Sequence, residues 1–309
     1  MDSLNILKTR SRAVKNVGQI TKAMEVVAAT KMRRAQETAL RSRPYAYGAL
    51  ELLGRLSGAT SFISPLAEAR DIKTTLVIIV ASDKGLTGSF NTQVFRAVEK
   101  FFASDSYASL PAHTYKVFAI GKKSLQYAEK RRLDVAEFYT GVGDFIKPEE
   151  IDSVMRAVIA GFEEKRWDRV IAVSTHFRTA LKQETLNRQI LPLSVERIRE
   201  TVSEIVPQHG RYADTKNGNM SVREIDYLFE PDPETLFLSL IPHLVKMQIY
   251  HLILEANASE HSARRVAMKT ASDNADELTS ELTLAYNKAR QASITKEIIE
   301  ITSTQSALL

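Results

Sequence analysis

The sequence predicts an α/β body carried between two long terminal helices, and three observations lead there. All twelve glycines lie between Gly18 and Gly218, and all nine prolines between Pro44 and Pro242, so residues 243–309 hold neither of the residues that break helices and residues 1–43 hold only Gly18. Apolar residues at those ends recur in threes and fours. Between them, short apolar runs alternate with amphipathic stretches, the pattern of a mostly parallel sheet covered on both faces.

The N-terminal helix carries an apolar stripe of Ile6/Leu7, Ala13/Val14, Val17, Ile20, Met24 and Val27/Ala28. The C-terminal helix is stricter. Leu240, Met247, Leu254, His261, Met268, Ala275, Leu282 and Ala289 sit seven apart, and Ala271, Leu278, Ala285, Ala292 and Ile299 form a second row. A sustained period of 3.5 marks a left-handed coiled-coil seam. Two helices at opposite ends of one chain pair most simply antiparallel. At about 1.5 Å per residue, residues 243–309 would reach roughly 100 Å, which predicts a rod with a body at one side. The seam is not greasy: His261 takes a core position, and Asn257 and Arg264 lie in the second row. That composition suits a rod whose surface is kept for other proteins.

In the middle, residues 74–81 (TTLVIIVA) read as a buried strand, followed by a turn at 82–89 and a helix over about 91–102. Residues 115–120 (YKVFAI) are a second strand, ended by Gly121, with a helix over 122–132. Residues 135–139 are a third strand. Pro148 opens a helix to about residue 165, and 168–174 (DRVIAVS) is a fourth strand. Segments 190–194 and 224–229 are further strand candidates, with a polar loop at 203–219. The domain plan is a coiled-coil helix over 1–58, a Rossmann-like α/β body over 72–205, a loop and foot over 206–232, and a coiled-coil helix over 233–309.

Composition narrows the function. With 44% hydrophobic and 26% charged residues the chain is not disordered throughout, and with no cysteine it has no disulfide scaffold or thiolate metal site. No run of 18 apolar residues occurs. Residues 1–43 hold ten Lys/Arg against three Asp/Glu, so the basic excess is confined to the first helix and faces an acidic partner or solvent.

Local chemistry is sparse. The turn Gly85-Leu-Thr-Gly88 lacks the Lys-Ser/Thr of a phosphate loop and is too short for a dinucleotide fingerprint, so it reads as a tight strand-to-helix turn. His243, His251 and His261 are not spaced to converge on a metal. His176 follows the fourth strand with no carboxylate in its own loop, and reads as loop structure. Ser259-Glu260-His261 are helix neighbours that point apart and cannot act as a triad. The cluster Lys31-Met-Arg33-Arg34 could track phosphates, but no aromatics are interleaved with it. These residues leave open a nucleic-acid-binding protein with a basic helical arm, an α/β enzyme with helical extensions, or a rod whose surface is kept for other proteins.

Longer motifs decide among them. Residues 20–32 (ITKAMEVVAATKM), 82–91 (SDKGLTGSFN), 227–231 (YLFEP), 258–268 (ASEHSARRVAM), 271–274 (ASDN) and 286–297 (YNKARQASITKE) together resemble the gamma subunit family of F-type ATP synthases. The match covers both ends and the first strand-turn-helix in order; residues 100–220 match only in pattern. The resemblance implies a non-catalytic central rotor without a cofactor or metal. Its helices would form an antiparallel coiled coil inside a ring of three alpha and three beta subunits, with a body near epsilon and the c-subunit ring. Proton flow would turn it, and no nucleic acid is implied. By motif, Arg290, Gln291, Thr295 and Glu297 match the positions that catch a beta-subunit loop. Met24, Lys31, Arg33 and Arg34 match those facing the acidic lever of beta. Tyr227 and Glu230 match the foot near epsilon and the c ring. Thr87, Ser89 and Arg265 depart from the family's frequent Cys, Gly and Met, and the tail 303–309 (STQSALL) lacks the usual Gly-Ala-rich end. The location the resemblance implies is the cytoplasmic face of a bacterial plasma membrane, or the matrix side of the mitochondrial inner membrane.

Overall fold

The computed structural model describes residues 2–41, 48, 52, 64–108, 113–143, 146–193 and 230–306. Helix α1 (Asp2–Arg41) is followed by β1 (Thr74–Val80), α2 (Phe90–Ser104), β2 (Thr114–Ile120), α3 (Lys122–Lys130) and β3 (Val135–Tyr139). A 3-10 turn (Pro148–Ile151) then leads into α4 (Asp152–Glu163), β4 (Arg169–Phe177), β5 (Gln183–Leu191) and α5 (Pro233–Ser306). The expected strand at 224–229, the loop at 203–219 and the domain limits at 58 and 206 lie outside the described residues.

Residues 30–263 form one compact unit. Its sheet has the order β3-β2-β1-β4-β5, with β1, β2, β3 and β4 parallel and β5 antiparallel to β4. Alternate side chains of each strand supply two cores. Val77, Ile79, Val117, Ala119, Ile171 and Val173 pack under α2 and α3. Leu76, Ile78, Phe118, Ile120, Val170 and Ala172 pack under α4 and α5. The predicted strand at 190–194 is instead β5, which starts at Gln183 and runs antiparallel. It is an edge strand whose half-buried polar residues hide the usual pattern until Ile190 and Leu191 reach the core. Gly121 ends β2 at φ 93°, and a Cβ there would lie 2.0 Å from the Ala81 carbonyl oxygen.

Helix α5 opens on Asp232, whose carboxylate accepts from the Thr235 N–H and hydroxyl, both at 2.8 Å, with Pro233 in the first turn. It continues through Pro242. Residues 244–259 are buried on every side except at half-buried Lys246, so here the helix is a core element and not one side of a seam.

Residues 1–29 and 264–309 form the second compact unit. A Cβ on Gly18 would lie 3.2 Å from the Ala275 Cβ, and Lys22 of α1 feels Asp273 and Asp276 of α5, so the helices run antiparallel. The predicted stripe on α1 needs correction. The covered row is Leu4, Leu7, Ser11, Val14, Gly18, Thr21, Glu25 and Ala28, whereas Ile6, Ala13, Val17, Ile20 and Val27 are exposed. Close approach at Gly18 explains the choice: small residues let the backbones meet, and the branched residues would hold them apart. On α5, Met268, Ala275 and Leu282 are buried as expected, but Ala285, Ala292 and Ile299 are exposed, and Tyr286, Ala289 and Ser293 are half-covered. A straight α-helix drifts about 20° per heptad, so a strict seven-residue row leaves the contact after a few turns.

Replacing Gly121 by alanine should destabilise the purified chain by about 2–4 kcal/mol, because the Cβ meets backbone and the φ disfavours L-residues. A fall in the urea midpoint at unchanged slope is the expected result.

Candidate functional site

Three places deserve chemical scrutiny, and the first is the outward surface of the terminal helices. The exposed α1 row sits one residue before each seam residue: Ile6, Arg10, Ala13, Val17, Ile20, Met24, Val27, Lys31 and Arg34. Ile6, Val17, Ile20 and Val27 are 64%, 53%, 60% and 51% exposed, too apolar together for a merely solvated face. Met24 and Lys31 are half-buried within this row and Arg34 is exposed. Arg33 stands beside it and pairs with Glu37 at 2.9 Å.

On α5, Arg290, Gln291, Thr295 and Glu297 are all exposed; Gln291 and Thr295 point away from the half-covered Tyr286, Ala289 and Ser293, whereas Arg290 and Glu297 flank that row. Ile294 and Ile298 lie among them, 46% and 56% exposed. The Gln291 carbonyl accepts from the Thr295 hydroxyl at 2.9 Å, and Glu297 from Ser293 at 3.4 Å. The structure does not bring the two predicted contact groups together. With Gly18 opposite Ala275, Arg290 lies opposite the first turn of α1, about 30 Å along the axis from Met24. Glu230 is exposed just before α5, and Tyr227 lies outside the described residues.

The second place is the carboxyl edge of the sheet. Strand order reverses at β1, and in such sheets ligands bind where the ends of β1 and β4 diverge. Here the turn is filled by its own side chains. Asn91 Nδ2 donates to Ser82 Oγ (2.8 Å) and Thr87 Oγ1 (3.1 Å), and the Ser82 N–H donates to Asn91 Oδ1 (3.1 Å). Asp83 Oδ1 accepts from the Lys122 N–H at the start of α3 (2.8 Å) and from the Gly141 N–H (3.2 Å). A carboxylate already occupies the helix end that would attract a phosphate, and its charge opposes a second anion.

The third place is buried and was not foreseen. Glu255 of α5 lies between β4 and β5. Its Oε1 is 2.8 Å from His176 Nδ1 and 3.0 Å from His251 Nε2, and its Oε2 accepts from Arg188 Nη1 at 2.9 Å. His176 Nδ1 is also 3.1 Å from Arg188 Nη2. One nitrogen cannot donate to the carboxylate and accept from a guanidinium, so the shorter contact places the proton on Nδ1. Burial alone would raise the Glu255 carboxyl; His251, His176 and Arg188 outweigh it and hold the group well below its usual range. His176 is therefore part of β4, not of a loop, and its carboxylate partner comes from a helix far along the chain. Nothing in the local sequence signals that pairing. The set is not a metal site: among the described residues no group of three or more His, Cys, Asp or Glu is placed to hold an ion.

Comparison with known proteins agrees with the fold. A family model described as ATP synthase matches residues 3–308. The chain is 38% identical over 311 residues to the ATP synthase gamma chain of Roseiflexus castenholzii, covering 100% of this chain and 99% of the relative. It is 36% identical over 310 residues to that of Salinibacter ruber, with the same coverage. Among solved structures, a chain of the Euglena gracilis mitochondrial ATP synthase OSCP/F1/c-ring assembly matches with a TM-score of 0.67 at 18% identity, over 99% of this chain and 95% of the other. A chain of the Tetrahymena thermophila central stalk/c-ring structure matches at 0.56 and 21%, over 82% and 99%. At these identities the structures speak for the fold alone.

Glu255→Gln should cost about 3–5 kcal/mol near neutral pH, since it leaves Arg188 buried against a neutral amide. The sign in acid follows from the depressed folded-state value: the ionised carboxylate stabilises above the ordinary value near 4.5 and that stabilisation is lost as pH falls through the lower one. The gap between wild type and variant in urea unfolding should therefore be widest at neutral pH and narrow in strong acid.

Proposed function

The chain belongs to the ATP synthase gamma-chain family, and from that premise we propose that it is the central-stalk rotor of an F-type ATP synthase, coupling proton-driven rotation to ATP synthesis and hydrolysis at the catalytic head. The observation that carries the reading is the exposed apolar and basic row on α1, beside a covered seam in which Gly18 lies against Ala275. A helix pair that leaves Ile6, Val17, Ile20 and Val27 exposed is shaped to turn inside another protein's sleeve.

The pair has no threefold symmetry: α1 presents isoleucine, valine and basic side chains, and α5 presents Arg290, Gln291 and Ile294. Each beta subunit around it meets a different face and is held in a different nucleotide state. Turning the pair exchanges the faces and drives ATP release; hydrolysis runs it backwards. The chain is non-catalytic by itself. The self-filled turn at Ser82–Asn91 supports this, because its hydrogen bonds use the groups a nucleotide site would offer. Its partners are the alpha and beta subunits of the head, epsilon, and the c-subunit ring. It is a peripheral protein of the membrane-bound complex, on the cytoplasmic face in a bacterium. Arg290, Gln291, Thr295 and Glu297 catch a beta-subunit loop; Met24, Lys31, Arg33 and Arg34 face its acidic lever; Tyr227 and Glu230 belong to the foot. The direct test is purification from the native membrane: alpha and beta co-elute with this chain, and their absence would overturn the reading.

Two substitutions separate the contact groups. Arg290 can hold a carboxylate with two parallel hydrogen bonds, so Arg290→Ala should remove about 1–3 kcal/mol only at the rotor angles that engage the loop. ATPase turnover should slow several-fold while subunit content is unchanged; unchanged turnover in assembled complexes would disprove the assignment. Replacing Lys31, Arg33 and Arg34 together by alanine should weaken binding to the head broadly, and measured affinity should fall further with salt than in the wild type.

A further inference from the structure

Helix α5 is held in the body by two kinds of contact. The first is apolar: Leu244, Val245, Ile249, Leu252, Ile253 and Leu254 pack against the core. Such packing resists withdrawal of the helix, but the hydrophobic effect is non-directional and does not by itself choose an angle about the helix axis. The second kind is directional, and it falls on opposite sides of the helix. With about 100° between successive residues, Glu255, Ser259 and Ser262 share one side. There Glu255 meets Arg188 and His176, the Ser259 hydroxyl donates to the Thr175 carbonyl (3.4 Å), and that of Ser262 to the Ala180 carbonyl (2.5 Å). Tyr250 and Asn257 lie on the other side. The Tyr250 hydroxyl donates to the Ile146 carbonyl (3.2 Å) and Asn257 Nδ2 to the Gly143 carbonyl (3.3 Å).

We propose that these opposed contacts, with Glu255 and Arg188 as the stronger side, form a rotational key that fixes the angle of α5 in the body and carries torque between them. Side chains sit about 5 Å from a helix axis, so a 20° turn moves their heads by roughly 2 Å, enough to break hydrogen bonds on both sides at once. Two bonded sides on opposite flanks resist such a turn as a couple, which one side alone would not. The charged side costs most to break, because a displaced Glu255 would leave its carboxylate and the Arg188 guanidinium without each other. These are positioning residues for the coupling reaction and touch no nucleotide. The inference rests on the central-stalk reading.

The test uses the assembled complex in inverted membrane vesicles, with ATP hydrolysis and ATP-driven acidification of the vesicles measured together. Glu255→Gln and Arg188→Met should lower protons pumped per ATP hydrolysed by about threefold, the change that one lost hydrogen bond produces. Arg188→Lys, which keeps the charge, should restore part of it. Tyr250→Phe with Asn257→Ala, which leaves the buried charges intact, should lower the ratio in the same direction and serves if Glu255→Gln does not assemble. Leu254→Ala destabilises the same core without touching the key and should leave the ratio at the wild-type value. An equal fall in Leu254→Ala, or an unchanged ratio in the Tyr250/Asn257 double variant, would overturn the proposal. If the wild-type chain itself fails to assemble with alpha and beta, the fault lies with the central-stalk reading and not with the key.

Discussion

The constraint on which the described structure depends is that helix α5 must satisfy two different environments along its length. Over residues 244–259 α5 is enclosed on every side by the body. From Arg264 onward it shows one covered row and otherwise faces outward. A helix cannot change its backbone to suit both, so the change is written in side chains: apolar residues on all sides with a few partnered polar groups in the first stretch, and one covered row through Met268, Ala275 and Leu282 in the second. The body's sheet, and the antiparallel strand at its edge, complete the enclosure of the first stretch. Helix α1 supplies the matching surface for the second.

The fold was largely legible in the sequence, for a physical reason. Strands buried on both faces have to be continuously apolar, and TTLVIIV of β1 could hardly be anything else. Gly121 and Pro148 marked a turn and a helix start because their backbone limits are local. What failed was what depends on a partner. The doublets Ile6/Leu7, Ala13/Val14 and Val27/Ala28 straddle two neighbouring rows of α1, and their spacing is the same for both. Only contact with α5 selects the second member of each pair. Gly18, overlooked as part of a stripe, decides that choice by letting Ala275 come close. Strand β5 was half missed for a related reason: an edge strand carries little apolar signal of its own.

The candidate site divides along the same line. Arg290 and Gln291 lie in a contiguous motif and are exposed, which is a local feature that sequence can carry. The buried hub was not recognisable. Glu255 and His251 are a local pair at i, i+4, but His176 and Arg188 reach them through strand pairing and helix packing, which no spacing rule encodes. Of the polar residues at 251, 255, 257, 259 and 261, only Asn257 and His261 fall on the heptad rows, where they read as polar positions in a seam. In the body Glu255, Asn257 and Ser259 are among the groups that give the helix its direction.

The hub and the seam then make opposite use of stability. Replacing a buried ion pair by apolar residues of similar volume is often neutral or stabilising, so Glu255 and Arg188 are poor candidates for residues kept for stability alone. The seam likewise places Ser11, Gly18, Thr21, Glu25 and Ala28 among its larger apolar residues, which gives less cohesion than leucine and isoleucine throughout would. In the body the directional contacts specify one angle where apolar packing would tolerate several. Between the terminal helices, Gly18 lets the backbones meet, and several larger apolar side chains stay on the outside. Polar contacts that fix an angle are concentrated at residues 250–262, and exposed apolar side chains at Ile6, Val17, Ile20, Val27, Ile294 and Ile298.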